Sequence, residues 1–294
     1  MKLVILRFSF FSLFTVLLCL YSCRDNANDG IPAYIQIDKI SLITQPAQGT
    51  ASHKITDAWV FIGDELIGAF ELPVTFPVLK TGSQEITIQA GIKINGISAT
   101  RAPYPFYNPL IVSVNLEAGS ITRITDLVTT YKSNAVFAWM ENFEGNSISI
   151  DTTVNSQTGF RKISTASLIF DYPGEQNNYS AMASFSGSAN LFECASVQQY
   201  LLPRNDSPVF VELNYRSNNL LTTGVFAYAN QQVSQKSILV LNPTATWNKV
   251  YINLTPTVQL TSNATGFKVF LGALRDANVD TAQVFFDNLK LIHF

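Results

Sequence analysis

Val284-Phe285-Phe286-Asp287-Asn288-Leu289-Lys290-Leu291 lies close to the end of the chain, a dense run of apolar residues interrupted by one Asp-Asn pair. No helical period runs through it, and it belongs to a longer candidate strand, Gln283–Ile292. The chain before it repeats the same pattern. Short β-rich runs bounded by Gly, Pro, Asn or Asp recur roughly every eight to fifteen residues. Such punctuation predicts an all-β chain of two β-sandwich domains, the second a jelly roll, rather than parallel α/β units.

The second domain is expected at 135–294. Its candidate strands are Ser147–Asp151, Ala166–Tyr172, Ser180–Phe185, Pro208–Tyr215, Gly224–Ala229, Ser237–Leu241, Trp247–Leu254, Phe267–Leu271 and Gln283–Ile292, with no helix among them. Asn142-Phe143-Glu144-Gly145, Trp247-Asn248-Lys249-Val250-Tyr251-Ile252-Asn253-Leu254 and the Val284–Leu291 run together resemble galactose-binding-like jelly rolls, a fold shared by many carbohydrate-binding modules. The resemblance is one of fold and names no ligand. It implies a non-catalytic glycan-binding role, in which CH groups of a pyranose stack on aromatic rings. Tyr200, Tyr215, Phe226, Tyr228 and Trp247 are the rings to weigh, with Tyr215 and Tyr228 the expected glycan contacts. It also implies a structural Ca²⁺ held by Glu144 and Asp287 with main-chain oxygens near Gly145, because the first and last strands of a jelly roll can lie side by side.

The first domain is expected at 31–130. Tyr34–Leu42, Ala58–Ile62, Leu66–Phe70, Glu85–Gln89, Leu110–Leu116 and Ile121–Thr129 are its candidate strands. The residues Val60 to Gly68, Pro73 and Gly82 to Ile88 resemble PEGA-like and carboxypeptidase-regulatory-like domains, an Ig/transthyretin-like β-sandwich used mostly as a spacer. Ala102-Pro103-Tyr104-Pro105-Phe106-Tyr107-Asn108-Pro109 carries too many prolines for a central strand. It reads either as an exposed aromatic loop or, preferably, as a crossover whose rings cap the sandwich. Tyr131-Lys132-Ser133-Asn134 is the expected junction, short enough to hold the domains close.

At the other end, Lys2 and Arg7 precede the uncharged apolar run Phe8–Leu20, shorter than the ~20 residues a spanning helix needs. Leu20-Tyr21-Ser22-Cys23 resembles the lipobox of bacterial lipoproteins. The resemblance makes 1–22 a signal peptide, Cys23 the lipidated residue and the protein a lipid-anchored outer-membrane one. Residues 23–30 form a polar tether whose Asp25 and Asp29 resemble a diluted surface-export patch of Bacteroidota lipoproteins, leaving cell surface and periplasmic face both open.

The formal charge of −2 includes the two basic leader residues, and no basic run occurs, so no nucleic acid is expected as a partner. Polysaccharide or an envelope protein is, and a structural or protein-interaction spacer is the alternative function. Only His53 and His293 are available for imidazole chemistry, and no hydrolase, zinc or phosphate-loop motif occurs. With Cys19 in the leader and Cys23 lipidated, Cys194 has no disulfide partner and reads as a buried filler.

Overall fold

The computed structural model describes residues 30–294; the leader, Cys23 and nearly all of the tether lie outside the described residues. The first domain carries β1 (Ala33–Ile37), β2 (Ser41–Ile43), β3 (Asp57–Ile62), β4 (Glu65–Glu71), β5 (Val74–Val78), β6 (Gly82–Lys93), β7 (Arg101–Pro103), β8 (Leu110–Leu116), β9 (Ile121–Ile124) and β10 (Val128–Thr130). Alternation drives the packing: in β1 Ala33, Ile35 and Ile37 are buried while Tyr34 and Gln36 are not. One sheet runs β4-β3-β6, with β8 and β7 pairing successive halves of the long β6. The facing layer is β5-β1-β9, continued by β2 paired with β10. The expected strands Tyr34–Leu42 and Ile121–Thr129 are therefore each two strands, broken at Asp38-Lys39-Ile40 and Thr125-Asp126-Leu127. Asp126 takes a positive φ, a conformation that ends a ladder.

The second domain carries β11 (Val136–Glu141), β12 (Ile150–Thr152), β13 (Phe160–Ile163), β14 (Ser180–Ser186), β15 (Leu191–Ser196), β16 (Val209–Ser217), β17 (Leu221–Ala229), β18 (Gln232–Leu241), β19 (Thr244–Asn253), β20 (Gly266–Leu274) and β21 (Thr281–His293). One sheet is ordered β13-β14-β21-β16-β19, with β11 also paired to β21; the other is β12-β15-β20-β17-β18. Their inner faces enclose one core that includes Phe143, Phe192, Leu213, Val225, Phe267, Phe286 and Leu291. The fold is all-β, two sandwiches with a jelly roll second. A short helix, Thr255–Leu260, differs from the expectation of no helix; Pro256 in its first turn suits a helix start, and Val258 is the residue it buries. Ala166–Tyr172 is not a strand. It is a loop laid over the outer face of β14 and β21, where Leu168 and Ile169 join Met182, Phe285 and Trp247 in a satellite cluster.

The two cores meet. Phe210, Tyr251 and Ile292, on the outer face of the six-stranded sheet, belong to the same apolar cluster as the first domain's Tyr104, Phe106, Tyr107 and Tyr131. The Pro-rich aromatic segment is thus a cap, as preferred from sequence, but it caps the seam between domains. Tyr104 packs edge-on to Phe210 and against Tyr251, and Phe106 against Phe294. Main chain crosses the seam as well: Ile94 bridges to Tyr251, and the N–H of Asn95 donates to Tyr251 O.

A charged cluster lies inside this seam. Glu212 is fully buried, accepts hydrogen bonds from Tyr104 Oη (3.0 Å) and Tyr131 Oη (2.7 Å), and pairs with Lys249 Nζ (2.7 Å). Burial alone would push its carboxyl up, but Lys249 and Lys290 hold it below the usual range. Lys290 Nζ donates to Thr50 O (2.6 Å), and burial brings its pKa down to about 7. Gly49, at a positive φ, lets the 49–54 segment lie on this lysine, since a Cβ there would stand 3.2 Å from Lys290 Cε.

Candidate functional site: a groove on the five-stranded sheet

The outer face of β12-β15-β20-β17-β18 is concave, and the reason is legible in its residues. Alternation sends Val225, Ala227, Val269 and Leu271 into the core. It leaves Phe226 and Tyr228 on β17, Lys268, Phe270 and Gly272 on β20, and Glu193 and Ala195 on β15 to face outward. Opposite Thr223 and Gly224 the ladder slips, Thr223 pairing with Leu239 and Gly224 with Ser237, so that Ile238 is the extra residue of a bulge that bends β18. Only glycine fits there: a Cβ on Gly224 would meet Lys236 O at 2.0 Å and the Phe270 ring at 2.8 Å. The bend folds β18 over the sheet so far that Gln235 Nε2 donates to Glu193 Oε2 (2.7 Å), although β20 and β17 lie between their strands. Thr153 Oγ1 holds the other Glu193 oxygen (2.6 Å).

This contact divides the face into two hollows that share Asn155, Glu193 and Gln235. The larger, about 640 Å³, is lined by Asp151, Thr153, Phe226, Tyr228, Val233 and Lys268 among others. The smaller, about 520 Å³, is lined by Thr222, Ser237, Phe270, Gly272 and Leu274. Phe226 and Tyr228 are half-buried, each with part of a ring toward solvent, and Lys268 Nζ stands 5.9 Å from the Tyr228 ring. The groove offers apolar ring surface flanked by an ammonium, a carboxylate and carboxamides. That combination can stack on a sugar face and bond its hydroxyls.

Of the two expected glycan contacts, Tyr228 lies in this groove and Tyr215 does not. Tyr215 is a core residue of β16, 3% exposed, and its hydroxyl donates to Asn242 O and accepts from Asn248. The aromatic side chain points to the inner face because β16 pairs with β21 on one side and β19 on the other and buries nearly every residue. Among the other rings weighed, Phe226 is in the groove, Tyr200 stacks on Trp139, and Trp247 packs in the satellite cluster and donates to Ile169 O. Glu193, Gln235 and Lys268 were not singled out from sequence. The run Leu191-Phe192-Glu193-Cys194-Ala195 carries the alternation that points Glu193 outward once Phe192 and Cys194 are known to be buried. Cys194 is the expected apolar filler, its thiol pushed up by burial.

Glu144 and Asp287 do come near one another, because β11 pairs with β21 and the Glu144 charge adds to the burial that lifts Asp287 to about 7. Their surroundings do not fit a calcium ion. Glu144 accepts from the N–H groups of Asn178 and Tyr179 and from Asn178 Nδ2. Asp287 accepts from Ser180 Oγ, Asn177 Nδ2 and the N–H of Asn288. Lys162 Nζ takes the Gly145 carbonyl at 2.9 Å. N–H and O–H donors thus face the oxygens a cation would need, and these acids fasten the 164–179 loop to the sheet. Among the described residues no cluster of three or more His, Cys, Asp or Glu is placed to hold a metal.

No family model matches the chain, and no curated protein matches it. Solved structures of similar shape include the xylan-binding domain of carbohydrate-binding module family 22 (13% identity, TM-score 0.38, 53% of this chain and 94% of that one). They also include the family 11 carbohydrate-binding module of a Clostridium thermocellum cellulosomal cellulase (11%, 0.35, 52% and 92%). A third is the enzymatically active domain of bacteriophage CBA120 tailspike protein 4 (9%, 0.37), where the match covers 49% of this chain and only 19% of the other.

Proposed function

We propose that this protein is a non-catalytic glycan-binding protein, held at the outer membrane by lipid on Cys23, with the groove of the five-stranded sheet as its ligand site. The observation that carries the binding site is the pairing of half-buried Phe226 and Tyr228 with Lys268, Glu193 and Gln235 across an open hollow. A sugar ring laid on Tyr228 replaces water over an aromatic face, and the flanking polar groups bond its hydroxyls without leaving the groove. The Glu193–Gln235 bridge lies across the middle, so a chain longer than one hollow must displace that contact or pass over it.

The test is a glycan array followed by affinity gels on the intact chain. Binding should fall about tenfold in Tyr228→Ala and in Phe226→Ala, the loss expected for one stacked ring. A polysaccharide that retards both variants as strongly as the parent would remove the groove from consideration. The anchor is tested separately in cells: a palmitate analogue should label the parent chain and not Cys23→Ala. The second reading, a structural spacer, draws on the continuous core between the domains, which makes a rigid arm. It takes over if the array finds no glycan.

A further inference from the structure

We infer that the cleft between the two domains is a second ligand site, distinct from the groove, which takes a single carboxylate-bearing sugar residue. Three lysines converge on this cleft of about 330 Å³: Lys54 and Lys93 from the first domain and Lys249 from the second. None of the residues lining it is acidic. Lys249 is committed to Glu212, and Lys93 Nζ pairs with Glu71 (3.0 Å), which Arg101 also shares. Among the described residues Lys54 has no carboxylate within salt-bridge distance; its ammonium donates to the neutral Asn248 side chain. Burial first, and then the Lys93 charge, lower its pKa.

The neutral polar groups complete the site. Asn248, Asn95, Thr244 and the Tyr215 hydroxyl line the same space, and Thr244 Oγ1 has no protein partner although it is buried. Ile97, Leu239 and Val250 supply apolar wall. An oxyanion can sit between Lys54 and Lys93 while ring hydroxyls meet Thr244 and Asn248, and the volume matches one pyranose rather than a polymer. Inorganic sulfate satisfies the lysines but not the rest, so the oxyanion alone is the simpler ligand to exclude.

The experiment measures melting and calorimetric titration of the intact chain with glucuronate, glucose and sodium sulfate in parallel at matched ionic strength. Glucuronate should raise the melting temperature; glucose should not, and sulfate should do so less. Lys54→Gln should weaken glucuronate binding about tenfold, the loss of one charge-assisted hydrogen bond, while Lys54→Arg retains it. Added salt should weaken it in the parent. Lys54 touches neither hollow of the groove, so Tyr228→Ala must leave glucuronate binding intact. The inference is overturned if glucuronate has no effect, if it acts no more strongly than sulfate, or if Lys54→Gln binds it as the parent does.

Discussion

Asp287 is fully buried at the bend of the last strand, and three donors do not offset the loss of water around its carboxyl. Its pKa of about 7 lies above the ordinary ~3.9 of an unfolded aspartate. The folded chain therefore holds one more proton than the unfolded chain over that interval. The stability this contributes is present at low pH and is lost as pH rises through about 7. His53 runs the other way: burial first, then Lys249, lower it to about 4, so its contribution is lost as pH falls. The two slopes oppose each other between about 4 and 6.5. Asp287→Asn removes only the falling one. Its stability relative to the parent should climb with pH by about 1.4 kcal/mol per unit in that window. Urea midpoints at pH 5, 6 and 7 measure it, and parallel curves for the two chains would show that Asp287 is ionised throughout. The same residue bears on calcium. With its oxygens and those of Glu144 already accepting N–H and O–H bonds, millimolar Ca²⁺ and EDTA should give superimposable melting curves; a rise with Ca²⁺ would mean that the donors turn away to admit the ion.

Strands β16 and β19 carry the seam. Their inner residues Leu213 and Val250 join the jelly-roll core while Glu212, Lys249 and Tyr251 face the other domain. Removing one partner of a buried pair leaves the other charge without compensation. Glu212→Ala should therefore cost about 3–5 kcal/mol in urea unfolding, and a loss below about 1 kcal/mol would mean that water enters the seam. Glu212→Gln, which keeps an acceptor for Tyr104 and Tyr131, should cost less. These elements also show what the sequence makes legible. Apolar alternation and Gly-Asp turns placed most strands, and Leu110–Leu116 was read with its observed bounds. Ala166–Tyr172 was misread because a loop that covers a sheet face needs the same apolar residues as a strand. Phe160–Ile163 gives little strand signal because it is short and half charged, and Val136–Glu141 because its apolar run shows no alternation. Residue type alone makes Tyr228 a ring to weigh, and the structure places it on the lining of the groove. Residue type does not single out Glu193 and Gln235, because their meeting depends on the curl imposed at Gly224. Tyr215 was misplaced because burial on both faces of a central strand is a property of the assembled sheet.

At the scale of the whole molecule, the junction at 131–134 divides the chain but not its core. Tyr131 itself is buried and bonds Glu212, so the residue that opens the linker belongs to the seam. The 49–54 segment adds further ties: Ser52 to Asn214, the Lys54 N–H to Tyr251 Oη, and the Ala51 N–H to Glu175. Separating the domains would expose Phe210, Tyr251 and Ile292 together with Glu212, Lys249 and Lys290. Apolar area would enter water at about 25 cal/mol per Å², and a buried ion pair would lose the two tyrosine donors that satisfy it. Neither domain is then at its full stability without the other, and the two should unfold together. Trp59 reports on the first domain, and Trp139 and Trp247 on the second, so paired variants separate the signals: Trp59→Phe leaves the second domain visible, and the double change Trp139→Phe, Trp247→Phe leaves the first. Both should give the same urea midpoint once each variant's own stability change is subtracted, and calorimetry of the parent should show one peak. Residues 135–294 made alone should melt lower than the intact chain or aggregate through the bared face. Two resolved transitions, or a separated second domain as stable as the whole, would mean that the seam is only a contact and that the domains hinge at 131–134.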